Sequence, residues 1–249
     1  MGAAWGIVFG FATVALSAAE ARFGGSQLRE LVLLGVAVPV VGVAVMVIGP
    51  LILLLDRRFN DVVDGVTFGV ASAVAFVGAQ AIAGSLDLFA GGVRPVGEAL
   101  PWVARIVTIG IAQPVVAAGA IGSAVGAFSL RYRAPIRDRA ALGAAGRPAI
   151  ALVLAAALLV ASALATFLPG QLLAVAVELV LAAIALIWLR RTLHVGLLEE
   201  AFEIETGGEI ICANCGKVTP RHTFCAECGI ALHALPKARV DRPTRTSER

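Results

Sequence analysis

The residues best suited to chemistry are the four cysteines of the chain, which form two C-x2-C pairs. They are Cys212, Cys215, Cys225 and Cys228. Four thiolates at this spacing can surround Zn²⁺ as a tetrahedron, and a closed set of four leaves no position for a reacting water. Gly216 and Gly229 follow the two pairs, where a residue without a Cβ eases the turn around a metal. The sequence therefore predicts a structural zinc ribbon over 209–235, with zinc as its cofactor.

A disulfide pair and a redox-active dithiol are the alternatives for the same cysteines. Thiols stay reduced in the cytoplasm, where this segment is expected, and no βαβ pattern of a redox C-x-x-C protein surrounds them. His222 and His233 are surplus to a complete four-cysteine set. About 25 residues cannot build a stable core alone, so we expect metal binding to supply most of the folding free energy of the ribbon.

A second group of candidate residues consists of polar side chains inside apolar segments. They are Gln80, Gln113 and Glu178, and Asp87 is expected at the membrane surface. Polar side chains in a bilayer need partners and often mark function. With a rise of ~1.5 Å per residue, Gln80, Gln113 and Glu178 are predicted to lie at comparable depth. A set of hydrogen bonds between helices would account for them without any further function.

Composition predicts that these residues belong to an integral membrane protein. The chain has 59% hydrophobic residues, 15% charged residues and a mean hydropathy of +0.91, whereas soluble domains are about 25% charged. A helix of about 20 apolar residues crosses the hydrocarbon core. Segments of this kind occur at 3–19, 31–55, 63–88, 102–128, 148–168 and 171–189. We predict an all-α polytopic fold of about six transmembrane helices, followed by a small β-rich zinc ribbon.

Arginines predict the orientation in the membrane, because short cytoplasmic loops are enriched in them. The arginines of one side are Arg57, Arg58, Arg131, Arg133, Arg137, Arg139, Arg147, Arg190 and Arg191, and those of the other are Arg22, Arg29, Arg94 and Arg105. Both termini are therefore predicted to be cytoplasmic in an inner-membrane protein. The first apolar segment has no basic region before it and is followed by another apolar segment, so it is interpreted as a membrane helix and not as a secretory signal.

The predicted organisation has four parts. A transmembrane domain at 1–190 is followed by a cytoplasmic helical connector at 191–208, the ribbon at 209–235 and a basic tail at 236–249. The tail is predicted to be disordered and to be attracted to anionic lipid. Nucleic acid is not a predicted partner, because no aromatic stacking surface accompanies the basic residues.

Small residues predict how the helices pack. Glycine allows close backbone approach in lipid, and it is frequent in the second to fourth helices. These glycines are Gly35, Gly42, Gly49, Gly65, Gly69, Gly78, Gly84, Gly110, Gly119, Gly122 and Gly126. Pro169-Gly170 predicts a tight turn that makes the fifth and sixth helices antiparallel neighbours.

Residues 56–80 carry a recognisable pattern: a basic turn, an acid-glycine pair, an aromatic-glycine pair and a later phenylalanine. These are Asp56-Arg57-Arg58-Phe59, Asp64-Gly65, Phe68-Gly69 and Phe76. The pattern resembles the core of the PrsW-type intramembrane protease family, in which the helix continues to F-x-x-x-E. In this chain Gln80 occupies the position of the glutamate. Helices followed by a four-cysteine ribbon also resemble actinobacterial members of the family.

The resemblance also aligns the other catalytic positions of the family. Its Glu-Glu-x-x-Lys set falls on Gly42, Val43 and Met46, and its histidine falls on Gln113. None of these side chains can exchange protons as a carboxylate or an imidazole does. The resemblance implies a protease scaffold that has lost catalysis and binds membrane partners. It would take a transmembrane segment into a cavity of helices 2–4, and the ribbon would dock a cytoplasmic protein.

Two other functions remain as alternatives. An active intramembrane peptidase that cleaves membrane proteins such as anti-sigma factors would use Glu178 as a substitute carboxylate. A small-solute channel or transporter would need a hydrated path lined by Gln80, Gln113 and Glu178. The sequence contains no H-E-x-x-H, G-x-S-x-G or P-loop motif. If Gly42, Val43, Gln80 and Gln113 surround one cavity, the alignment with the family gains support.

Overall fold

A computed structural model describes residues 2–23, 27–56, 59, 61–84, 99–132, 139–206, 208–220 and 224–232. The chain divides into two compact units, Met1–Leu197 and Leu198–Arg249. Several residues that the sequence singled out lie outside the described ranges. They are Arg57, Arg58, Asp87, His222, His233 and the tail at 236–249.

Six helices lie in the described ranges. They are α1 (Gly2–Phe23), α2 (Gln27–Leu53), α3 (Val62–Gly84), α4 (Ala99–Tyr132), α5 (Pro148–Ala165) and α6 (Gln171–Thr206), with a 3-10 helix at Arg139–Gly146 before α5. Helices α2 to α6 are long and apolar enough to cross a membrane, whereas the apolar part of α1 is the shorter stretch Gly2–Leu16. The structure thus has five such helices where the sequence predicted six, because α1 becomes polar at Glu20 and Arg22.

The outer faces of these helices carry large apolar side chains that no other part of the described chain covers. Leu28, Ile82, Val153 and Leu172 are examples from four different helices. A soluble protein rarely leaves so many large apolar side chains open to water. Contact with the lipid bilayer accounts for them, in agreement with the predicted membrane protein.

Helix α4 forms the centre of the first unit. Its side chains over 116–130 are almost all buried, and its main neighbours are α3 and then α5. A Cβ added to Gly69 would lie 2.9 Å from the Cα of Gly122, and one added to Gly119 would lie 2.8 Å from the backbone of Ala185. The predicted role of these glycines in close helix packing is confirmed.

Helix α1 packs on α3 through a G-x3-G-x3-G series that begins at Gly2. A Cβ on Gly6 would overlap the carbonyl oxygen of Phe76, and one on Gly10 would lie 2.6 Å from the Cβ of Ala83. Small residues on one face of α1 therefore allow a close approach of the two backbones. The sequence interpretation did not include these glycines.

Four other glycines do not have the packing role predicted for them. Gly49, Gly78, Gly84 and Gly110 have no atom within 4 Å of an added Cβ among the residues described. Glycine composition alone does not indicate which face of a helix meets a neighbour. Periodicity with respect to the buried face decides this, and it is set by the arrangement of the helices.

Helices α5 and α6 are joined by the predicted turn at Pro169-Gly170. Helix α5 ends at Ala165, and Gly170 has a φ of +95° directly before α6 begins at Gln171. This left-handed backbone conformation favours glycine, because a Cβ would be strained there. Helix α6 then continues without interruption to Thr206.

The described strands of the second unit are short and lie beside the cysteines. Strand β1 (Ile210–Ile211) pairs antiparallel with β2 (Val218–Thr219). An isolated bridge pairs Phe224 with Ala231. With so few paired residues, the backbone ladder alone cannot hold this unit together.

Candidate functional site

The four cysteine sulfurs form a compact cluster. All four Sγ atoms lie within 4.8 Å of one another, with Cys212 to Cys228 and Cys215 to Cys225 both at 3.8 Å. A tetrahedral metal ion with bonds of about 2.3 Å to sulfur requires sulfur separations of about 3.8 Å. The cluster therefore has the dimensions of a four-thiolate metal site.

Each cysteine pair sits on the same backbone turn. The N–H of Gly216 donates to the carbonyl of Cys212 at 2.8 Å, and that of Gly229 donates to the carbonyl of Cys225 at 2.9 Å. Gly216 has a φ of +72° and Gly229 a φ of +69°, both in the left-handed region. The predicted reason for glycine after each pair is confirmed, since a Cβ would strain both turns.

The thiols of the cluster influence one another's ionisation. The backbone N–H of Cys228 is the main cause that lowers the pKa of Cys225 to about 6. The N–H of Lys217 favours the thiolate of Cys215, but desolvation and hydrogen bonds with the other three thiols raise its pKa to about 11. Thiolates this close repel one another, so all four ionise together only with a cation between them.

The first unit contains a cavity of about 730 Å³, bordered by α1 to α5. Of the five positions aligned with the catalytic residues of the protease family, four line this cavity: Gly42, Met46, Gln80 and Gln113. Val43 does not line it, because its side chain points into the packed core and is 5% exposed. Helices α2, α3 and α4 thus bring four sequence-distant positions to one space.

The wall of the cavity is mainly apolar and aromatic, with a few polar groups. The polar residues on it are Thr13, Gln80, Arg105, Gln113, Ser162 and Thr166. The lining residues that the structure describes include no aspartate, glutamate, histidine or cysteine. The described wall therefore offers no side chain that could accept a proton from water near neutral pH.

Glu178 lies behind this wall, fully buried, and does not line the cavity. The Ser162 hydroxyl donates to its two carboxylate oxygens at 2.9 and 3.0 Å, and Gln113 also hydrogen-bonds the carboxylate. Hydrogen bonds between helices therefore join Gln113 and Glu178, one of the interpretations that the sequence allowed. Gln80 lines the cavity on α3, outside this set.

Ser162 is a residue of the site that the sequence interpretation missed. It precedes Glu178 by 16 residues, and the Pro169-Gly170 turn lies roughly midway between them. In an antiparallel hairpin, residues equally distant from the turn face each other. A search for polar residues paired in this way across the predicted turn would have found Ser162.

Helices α2 and α4 border the cavity with the same irregularity. Each contains one π-helical turn, Leu33–Ala37 in α2 and Thr108–Ala112 in α4. The next residue, Val38 or Gln113, donates its N–H to the carbonyl five residues before it. A proline follows each of these residues, and proline has no N–H and collides with the carbonyl four residues earlier. The wider π turn relieves that collision.

The two π turns also share a sequence. G-V-A-V-P-V-V at 35–41 and G-I-A-Q-P-V-V at 110–116 differ at two positions. One difference places Val38 on the cavity wall in α2 and Gln113 on the wall in α4. Comparison of the chain with itself would have revealed this repeat. Single π turns often occur at functional sites, so the repeat is a signal for the cavity that the sequence interpretation did not use.

A comparison with models of protein families finds no match for this chain. Comparisons with curated proteins and with solved structures find no match either. Function is therefore inferred from the cavity and the cysteine cluster themselves.

Proposed function

We propose that the chain is a PrsW-type membrane protein without catalytic groups, and that its cavity binds a membrane segment of a protein partner. One observation carries this proposal. Gly42, Met46, Gln80 and Gln113, which correspond to catalytic positions of the family, line one cavity. None of them carries a carboxylate, an imidazole or an amine.

Recognition fits the chemistry of the cavity better than hydrolysis. Cleavage of a peptide bond needs a base that activates water and an acid that protonates the leaving amine, and often a metal. Glutamine side chains form hydrogen bonds but do not relay protons at neutral pH. An apolar cavity with a few polar groups is the usual form of a binding site.

The proposal includes a sixth membrane span, α1, and cytoplasmic termini. Helix α1 has 22 residues, which corresponds to about 33 Å of helix, and Gly6 seats it against α3. The excess of arginines in one set of loops supports the orientation. We expect alkaline phosphatase to be active when fused after Phe23 and inactive when fused after Arg249. The opposite result at either position contradicts this topology.

The proposal assigns zinc to the cysteine cluster. Cys212, Cys215, Cys225 and Cys228 would supply all four ligands, so the ion would stabilise the second unit and would have no open position for a substrate. The sulfur separations of 3.8 Å support this assignment. Metal analysis of the purified protein should find one zinc ion per chain.

A cytoplasmic protein partner is proposed for the second unit. Ile211 and Val218 are paired across the two strands, and both are more than half exposed, as is Phe224. Exposed apolar side chains on so small a unit are suited to burial against a protein surface. We expect Ile211→Asp to abolish retention of such a partner by the full-length protein, while zinc content is unchanged.

Site-specific crosslinking in native membranes tests the proposed cavity function. A photoreactive residue is placed at Val77, which lines the cavity, or at Ile82, which lies on the same helix but faces outward. We expect a discrete protein adduct from position 77 and none from position 82. The adduct should weaken when Gln80→Leu and Gln113→Val are combined with the probe.

Two results would remove the support for this function. One is the absence of a protein adduct from position 77, and the other is an identical set of adducts from positions 77 and 82. Both would mean that the cavity does not select a partner.

An active peptidase is the second candidate, and one contact favours it. Ser162 lines the cavity and donates its proton to Glu178, an arrangement in which a carboxylate could activate a hydroxyl. If this is the function, Glu178→Gln abolishes cleavage of a co-expressed membrane substrate. If the wild-type protein cleaves no such substrate, the non-catalytic function is retained.

A further inference from the structure

The hydrogen bonds of Glu178 determine which atoms its two partners can offer to the cavity. The Ser162 hydroxyl has one proton, and it is donated to the carboxylate. An ionised carboxylate only accepts hydrogen bonds, so Gln113 must donate to it from its amide nitrogen Nε2. Both donors nearest the carboxylate are therefore in use.

The atoms that remain for the cavity are acceptors. Ser162 keeps the lone pairs of Oγ, and Gln113 keeps its carbonyl oxygen Oε1. Both residues line the cavity, and Glu178 lies buried behind them. We call Ser162, Gln113 and Glu178 together the acceptor wall.

We propose that the acceptor wall binds the ammonium group of a lysine in the membrane segment of the partner. This inference rests on the proposed function and names the chemistry of its recognition step. A lysine ammonium has three N–H donors, enough to reach both Ser162 Oγ and Gln113 Oε1. Its charge would also be close to the carboxylate behind them.

Charge favours an ammonium over a neutral donor. Glu178 is held by two uncharged side chains, Ser162 and Gln113, within membrane-spanning helices. A lysine inside a membrane is also unfavourable, by about 2.5–3.5 kcal/mol at the centre of a helix, and such residues pair with one another. Each charge would offset the cost of the other.

The shape of the cavity limits what enters it. Its volume of about 730 Å³ accommodates a side chain and the adjoining turn of a helix, but not a complete transmembrane helix. Arg105 is on the wall as well, but eight residues of α4 separate it from Gln113, a distance of ~12 Å. The ammonium would therefore bind at the acceptor wall and not beside Arg105.

Three synthetic membrane peptides test the proposal with the full-length protein in phosphatidylcholine nanodiscs. Each is a leucine-alanine helix of about 24 residues with one variable central position, which is lysine, leucine or trimethyllysine. Trimethyllysine keeps the charge but has no N–H. We expect the lysine peptide to bind about tenfold more tightly than the other two, which corresponds to about 1.4 kcal/mol. Energy transfer between labelled peptide and protein measures the affinity.

Glu178→Gln is the decisive variant, because it keeps the size of the side chain and reverses its hydrogen bonding. The new amide can donate to Ser162 Oγ or Gln113 Oε1, so the wall loses its charge and its free acceptors. We expect the lysine preference to fall to about unity, with thermal unfolding checking that the variant is folded. Gln80→Leu, which alters the cavity outside the acceptor wall, should keep the preference.

Several outcomes overturn the proposal. Equal binding of the lysine and leucine peptides does so, and so does a preference that survives Glu178→Gln. Equal binding of the lysine and trimethyllysine peptides would show that charge alone is recognised. If dodecylamine binds the protein while all three peptides fail, the occupant is a small amphiphile and not the lysine of a partner.

The peptide experiment and the crosslinking experiment can fail separately. A protein adduct from position 77 without any lysine preference overturns only the acceptor wall as the recognition element. A lysine preference without a protein adduct leaves the chemistry of the wall intact but removes the support for a protein partner.

Discussion

The cysteine cluster and the membrane cavity are built in opposite ways. The cluster takes its four ligands from 212–228, a single short segment. The cavity takes its lining from five helices, with residues as far apart as Phe9 and Phe167. A metal site can be read from spacing because the ion organises a short chain around itself, whereas a cavity exists only after the helices have packed.

The energetic basis of the two sites differs in the same way. The second unit has two strands of two residues each among its described residues, so the metal must supply most of its stability. The first unit depends on close contacts spread over many helices, such as those of Gly69 and Gly119. Changes at the cluster should therefore act as a switch, and changes around the cavity should be graded.

The largest effect is expected from Cys225→Ser in the cluster. Loss of one thiolate removes a ligand whose ion contributes on the order of 10 kcal/mol of folding free energy. The zinc content should fall from one ion per chain to nearly none, and the second unit should become sensitive to protease. Metal analysis and limited proteolysis of the full-length protein measure both changes.

Asn214→Ala is the matched control for that variant. Asn214 donates a hydrogen bond to the Cys228 sulfur at 3.6 Å but is not one of the four clustered thiols. Zinc content should remain at one ion per chain. If Cys225→Ser kept its zinc, the four-thiolate site would be contradicted.

The next largest effect is expected from Gly119→Ala in the first unit. Its Cβ would lie 2.8 Å from the backbone of Ala185, and backbone cannot move aside cheaply. We expect a loss of about 1–3 kcal/mol in the free energy of unfolding, typical of overpacking. Thermal unfolding in detergent measures it.

Gly78→Ala is the matched control for the packing contact. An added Cβ there meets nothing within 4 Å, so only the better helix propensity of alanine remains, a gain of up to about 1 kcal/mol. The two glycine variants should thus change stability in opposite directions. Equal losses in both would mean that the close approach at Gly119 is not what stabilises the unit.

A smaller effect is expected from Gln113→Val. The same position of the repeated segment is occupied by Val38 in α2, so valine suits the π turn. The change removes the hydrogen bond to Glu178, and such bonds in membrane proteins contribute about 0.6 to 2 kcal/mol. Thermal unfolding should show a modest loss, and Val38→Ala should test how well the turn itself tolerates substitution.

The smallest effect is expected from Lys217→Ala beside the cluster. Lys217 forms an ion pair with Glu227 in which both side chains are exposed, and such pairs contribute little in water. Zinc affinity should change by less than about twofold. A competition assay with a chelator measures it, and a large loss would show that the ion pair shapes the metal site.

Local chemistry explains which features could be predicted. The cysteine spacing, Gly216 and Gly229 predicted their own geometry, and Pro169-Gly170 predicted the turn between α5 and α6. Each of these signals lies within a few residues of the structure it causes. The number of spans was less secure, because α1 combines a short apolar stretch with a polar end.

Features that depend on helix faces were predicted less well. Gly6 and Gly10 pack against α3, while Gly49 and Gly110 meet nothing, although all four are glycines in apolar helices. Val43 lies next to Gly42 in the chain but points into the core and not into the cavity. A rotation of about 100° per residue separates such neighbours, and only packing determines which face meets which space.

The sequence alone determined the membrane environment, the helical class and the four-thiolate cluster, because hydropathy, length and cysteine spacing act locally. The tertiary structure decided that Gln113, Ser162 and Glu178 form one polar group, and that Gln80 and Gly42 share its cavity. These residues lie on four different helices, and a hydrogen bond across helices forms only where packing brings its donor and acceptor within reach.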